Sequence, residues 1–211
     1  MRIIFTATFL ILLFGKPGFS QTSPFSKDQQ LKFEKQSKVY LEGFIKTIKA
    51  LSDPTPGCDK QCLDDKIYGT LKNFKEDAII QTITLKNPKP KDWTVNNYLK
   101  NIVKNYSIRF DLVIIKFENI VINDKSLTEI KRPNGSIEYE MTGNFRQTFC
   151  AKSKQDAKES NSMEIDAMTI CEYTDKEFKI TLRKQKRVLG PETWVVLLSN
   201  IYVRSITNLK D

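Results

Sequence analysis

Four cysteines, a few candidate acid–base residues and a complete lack of histidine bound the chemistry open to this chain of 211 residues. Cys58 and Cys62 stand in C-x3-C spacing, and Cys150 and Cys171 flank a long polar stretch. A redox pair needs C-x-x-C, one residue shorter, so this spacing points to structural bridges. The simplest pairing joins Cys58 to Cys62 and Cys150 to Cys171, although four cysteines allow three connectivities. Zinc would need knuckle-spaced pairs, which these are not. No metal and no cofactor is expected.

Without an imidazole there is no Ser-His-Asp or Cys-His nucleophile, no HExxH site and no histidine switch. Acid–base work at neutral pH falls to a carboxylate, Tyr, Lys or Cys of strongly perturbed pKa. Asp111 lies among apolar neighbours, Glu118 follows in the same run, and Tyr139 falls on the apolar parity of another. A buried carboxylate there would have a raised pKa and could act as general base beside a tyrosine. The simpler reading makes Tyr139 a core aromatic and leaves Asp111 facing solvent or paired with a base such as Arg109. No thiol or glycine-rich constellation replaces the missing histidine, so the balance leans away from an enzyme.

With 34 Lys and Arg against 25 Asp and Glu, the formal charge is +9. Basic residues cluster in LRKQKR, which holds Arg183, Lys184, Lys186 and Arg187, and in KNPKPK from Lys86 to Lys91. Such clusters could meet an anionic envelope polymer or a protein's acidic face; as solvated strand ends they would confer solubility alone. Nucleic acid is not expected as a partner, because no aromatic–basic binding motif accompanies the charge.

These residues are carried by a chain that opens on a targeting segment. Arg2 and the apolar run Ile3 to Gly15, followed by Lys16, Pro17 and small residues up to Ser20, predict a signal peptide over residues 1–20. The run is too short to span a bilayer, and no later segment is apolar enough. Cleavage removes Arg2 and Lys16 and no acid, leaving 32 minus 25, or +7, on residues 21–211. An exported chain, periplasmic or secreted, is a setting in which cysteines pair.

After a polar lead-in at 21–26, a single domain is expected over 27–211. Ser26 and Gln29 form a capping box before an apolar stripe at Phe33, Tyr40, Leu41, Phe44, Ile48 and Leu51, so a helix is predicted over 27–51. A second helix follows over about 59–75. DAIIQTITL reads as one strand, closed by the two prolines of KNPKPKD. Thr94 caps a third helix carrying Val95, Tyr98, Leu99, Ile102 and Tyr106. The period then changes to two. A strand over about 108–122, apolar on both parities, asks for a cover on each face. Past the Asn134-Gly135 turn, a strand alternates Ile137, Tyr139, Met141, Phe145 and Phe149 against polar residues, with Gly143 marking a bulge or bend. A polar loop spans 151–162. Residues 165–173 and 178–186 read either as one bulged strand or as a hairpin about TDKE, and 193–206 as a central strand.

Three helices with a short strand between the second and third, then a meander of long strands, resembles the NTF2-like superfamily, to which ketosteroid isomerase and scytalone dehydratase belong. The segment TVNNYLKNIVKNYSIRFDLVIIKFENI (94–120) looks like the third helix and first long strand of that group. The resemblance implies an α+β fold with three N-terminal helices packed on a curved antiparallel sheet of four to six strands, an NTF2-like cone. A cystatin-like sheet wrapped on a helix is the nearest competitor. Members of the group enclose a pocket between sheet and helices; some are enzymes and many are binding or dimerisation modules. The expectation is therefore a non-enzymatic binding or dimerisation module for an unknown protein or small apolar ligand. A homodimer through the outer sheet face is one form of it. The alternatives are a lyase- or isomerase-like pocket enzyme using a buried carboxylate and Tyr, and a basic adaptor to anionic envelope polymers.

Overall fold

A computed structural model describes residues 24–52, 58–153, 170–185 and 191–208. The segment 1–20, expected to be a signal peptide, lies outside the described residues. Helix α1 (Lys27–Ser52) begins at the expected capping box: Ser26 N–H donates to Gln29 Oε1 at 2.9 Å, and Gln29 N–H donates to Ser26 Oγ at 3.2 Å. Its buried stripe runs Phe33, Leu41, Phe44, Ile45, Ile48 and Leu51. The lead-in is not only polar. Phe25 is buried and meets the rings of Phe33, Tyr139 and Trp194 edge-on at about 5 Å.

Helix α2 (Lys60–Leu71) ends four residues before its predicted limit. Backbone bonds made from Asn73 and Lys75 to Leu198, each 2.8 Å, pull the chain onto the sheet instead. Strand β1 (Ile79–Thr84) follows, and then β2 (Asn87–Thr94), where only a proline-rich break was expected. Pro88 and Pro90 are tolerated because β2 is an edge strand, with one side free of ladder bonds. Helix α3 (Val95–Arg109) is capped as expected, Thr94 Oγ1 accepting from Asn97 N–H at 3.3 Å.

The long strands are β3 (Phe110–Lys131), β4 (Ile137–Ser153), β5 (Ile170–Gln185) and β6 (Thr193–Asn208). The sheet order is β2-β1-β6-β5-β4-β3. It is mixed, not purely antiparallel as expected, because β1 runs parallel to β6 at Ile80 and Ile201. A further parallel bridge from Phe74 to Leu198 adds a strand-like rung to the six strands. Residues 170–185 form one strand through TDKE, which removes the hairpin alternative. The architecture is α+β, three helices on one curved sheet.

The change of phase along β3 has a local cause. Between Glu118 and Val121 the strand gains a residue on β4, with Asn119 at φ 54°, and between Asn123 and Thr128 it gains three. Each insertion flips the face that alternate residues address. Ile115 and Phe117 thus face inward before the bulge at Asn119 and Ile122 after it, opposite inward-facing β4 residues. The bulges explain the change of phase past Glu118, not the apolar residues of both parities before it. Outside, Ile114 packs against Cys150 and Cys171, which stand directly opposite each other and are bridged; Cys58 and Cys62 form the other bridge.

Gly143 sits where the sheet curls. A Cβ there would overlap the ring of Phe178, itself fully buried, and lie 2.6 Å from the Val121 carbonyl oxygen at the bulge. Gly143→Ala should lower unfolding free energy by about 1–3 kcal/mol, the usual range for overpacking; urea denaturation measures it. Replacing Cys150 and Cys171 together by Ala should cost about 3 kcal/mol, and Cys58 with Cys62 about 2, because the second closes a shorter loop.

Candidate functional site

The inward sheet face is apolar at one end and polar at the other. On β5 the inward residues run Leu182, Ile180 and Phe178, then Lys176, Thr174 and Glu172, all buried. Opposite them on β4 stand Tyr139, Met141, Gly143, Phe145, Gln147 and Phe149. Helix α3 closes over this face with Tyr98, Leu99 and Ile102, all buried.

The polar end joins four elements. Gln147 lies directly across from Thr174, and its side chain hydrogen-bonds the Tyr98 hydroxyl. Burial pushes the Tyr98 phenol up to about 12, and the bond from Gln147 partly opposes that. Glu172 accepts from Leu85 N–H at 3.3 Å, which fastens the β1–β2 turn beside it; burial raises its carboxyl pKa despite that bond. Lys176 lies across from Phe145 on β4 and Val203 on β6. It is 5% exposed, and its ammonium makes one long contact, 3.5 Å to the Gln81 carbonyl oxygen. Among the described residues no carboxylate forms an ion pair with it; Glu172 lies four residues along β5, roughly 13 Å away. Burial alone brings its pKa down to about 8.

The outer face treats charge differently. Arg146 forks onto Asp175 at 2.8 and 3.2 Å, Lys179 meets Glu140 at 2.7 Å, and Arg204 pairs with Glu177. The Arg146 guanidinium holds the Asp175 carboxyl below the usual range.

The residues singled out from sequence are scattered. Glu118 is exposed on the outer face opposite Arg146. Tyr139 is buried, but its hydroxyl donates to Glu129 Oε2 at 3.2 Å, an exposed carboxylate, and not to Glu118. The Asp111 side chain lies outside the described residues. Arg183 is held by Glu76 at 3.0 and 3.2 Å, and Lys184 lies 3.9 Å from Glu192 and 5.5 Å from the Trp194 ring centre. Lys186 and Arg187 lie outside the described residues. Lys184 stands twelve residues along β5 from Glu172, where the β1–β2 turn is fastened, so roughly 40 Å of strand separates it from Lys86. Among the described residues, Lys184 and Lys86 therefore do not share one patch.

Lys176, Gln147, Thr174, Glu172 and Tyr98 do not stand out as a group in the sequence. Gln147 is visible there as the polar interruption on β4's apolar parity. Lys176 is hidden because TDKE resembles a turn; read through as strand, it aligns with Phe178, Ile180 and Leu182.

No family model matches the chain, and no curated protein matches it. Seven chains among solved structures match, among them a provisionally named scytalone dehydratase from Novosphingobium aromaticivorans. That chain is 9% identical, with 84% of this chain and 91% of that one covered at a TM-score of 0.35. A likeness so slight leaves the argument to this chain's own residues. Among the described residues no helix is long and apolar enough to cross a membrane, and no group of three or more Cys, Asp or Glu is placed to hold a metal ion.

Lys176 makes stability depend on alkali. Below about pH 8 the folded and unfolded chains both carry its proton, and the full cost of burying the charge is felt. Between about pH 8 and the ordinary 10.5, the unfolded chain retains a proton that the folded chain has released, so stability rises with pH. The whole span is about 3 kcal/mol. Lys176→Met should therefore be more stable than the natural chain at pH 7 by about 1–3 kcal/mol. The difference should shrink as pH rises toward 10; denaturation at pH 7, 8.5 and 10 measures both.

Proposed function

We propose that the protein is an exported, non-catalytic binding module of the NTF2-like type that seats a small, largely apolar molecule between its curved sheet and helix α3. The observation that carries this reading is the buried polar group of Lys176, Gln147, Thr174 and Tyr98 set at the end of an otherwise apolar inward face. Ligand sites are of this composition: apolar walls for affinity and a few polar groups for orientation.

Catalysis by a carboxylate and tyrosine has less support. Tyr139 meets a carboxylate at an exposed edge, and proton transfer gains little from a site open to water. A homodimer through the outer face also has less support, since that face is a ladder of ion pairs satisfied within one chain. Such pairs are not the apolar core of an obligate interface.

Nile red, a neutral apolar dye, should bind with saturable fluorescence at one site per chain. Thr174→Phe fills the inward face without adding charge and should abolish that signal while leaving the far-ultraviolet circular dichroism unchanged. Binding that the substitution does not touch would place the dye elsewhere and remove the basis for this reading.

A further inference from the structure

Among the described residues, Lys176 is a buried cation without an anion. An ammonium taken out of water is costly unless paired, and the usual remedy is a carboxylate within hydrogen-bond reach. Here the described surroundings supply one carbonyl oxygen at 3.5 Å, while Glu172 is engaged by Leu85 N–H. The neighbours divide by character. Phe145 and Val203 stand directly across from Lys176, and Phe178 follows it on the same face; Thr174 precedes it, with Gln147 across from Thr174 and the Tyr98 hydroxyl bonded to Gln147.

We propose that the cone selects monocarboxylates with an apolar body, the carboxylate pairing with the Lys176 ammonium and the body lying along Phe145 and Phe178. This deepens the binding reading above and rests on it. One charge on the ligand balances the one charge in the site. A phosphate ester would bring close to two negative charges and is ordinarily gripped by guanidinium forks, and no arginine stands on the inward face of β4 or β5 among the described residues. A neutral ligand would leave the ammonium unpaired, and a cationic one would be repelled. Thr174, the next residue on this face, and Gln147 across from it are the neighbouring polar groups that would take the second carboxylate oxygen, orienting the ligand and not merely neutralising Lys176.

The test compares ligands of one chain length and different heads: octanoate, 1-octanol and octyltrimethylammonium, titrated calorimetrically into the full chain. Octanoate should bind roughly 10- to 100-fold tighter than octanol, the range of a charge-assisted hydrogen bond, and the ammonium probe least. Lys176→Met should still fold and should lower that preference to about one, whereas Lys184→Met, outside the site, should keep it. The Lys176 side-chain nitrogen resonance should move with octanoate and stay in place with octanol. Equal affinity of the natural chain for octanoate and octanol would overturn the carboxylate assignment while leaving the binding module standing. So would a preference that survives Lys176→Met. No binding of any of the three, with Nile red still bound, would overturn it too, whereas loss of Nile red binding as well would sink both readings.

Discussion

The curl of the sheet depends on one close approach. The ring of Phe178 lies against Gly143, and the backbone of the β3 bulge at Val121 closes in from the other side, in space that no side chain at 143 could share. A flat sheet would offer α1 and α3 a plane to rest on; a curled one gives them a concavity to fill. The bulge answers the same need, because an extra residue bends its strand and tightens the local twist. Everything inward of the sheet, from the apolar packing of Met141 and Ile180 to the polar group around Lys176, sits where it does because the backbone bends there.

The two faces of β5 handle charge in opposite ways. Outside, Asp175, Glu177 and Lys179 each meet an opposite charge on a neighbouring strand. Exposed pairs of this kind contribute about 0–1 kcal/mol each, so their value is in register and solubility more than in holding the fold. Inside, one residue from both Asp175 and Glu177, Lys176 has no such partner among the described residues and stands in a low-dielectric setting where a single charge matters far more. Alternation along a strand thus places an indifferent electrostatic surface and a demanding one a few ångströms apart.

Much of the frame was legible in the residues. The Ser26 and Thr94 caps, the stripe on α1, the glycine at 143 and the cysteine pairs each follow from a local rule that the tertiary structure does not contradict. What could not be read depends on partners distant in sequence. The strand at Asn87–Thr94 exists because Ile79–Thr84 offers it a ladder, which outweighs the local bias of two prolines against strand. Helix α2 stops where Leu198 captures the chain. The double apolar parity of β3 suggested two covered faces; bulges shift its phase past Glu118, and one sequence does not reveal a register shift. The same blindness concealed the site. Lys176 looked like part of a charged turn until pairing with Phe145 and Val203 fixed its direction.

The margins of the sheet carry a consequence of their own. One margin is β2, exposed along its length, with Pro88 and Pro90 lacking amide protons and Lys89 and Lys91 adding charge. The other is β3, whose three register shifts break the regular spacing of free amides and carbonyls. A foreign strand needs an even row of such groups to dock. By different devices both margins are poor templates for it, which disfavours edge-to-edge pairing between copies of a chain this rich in strand.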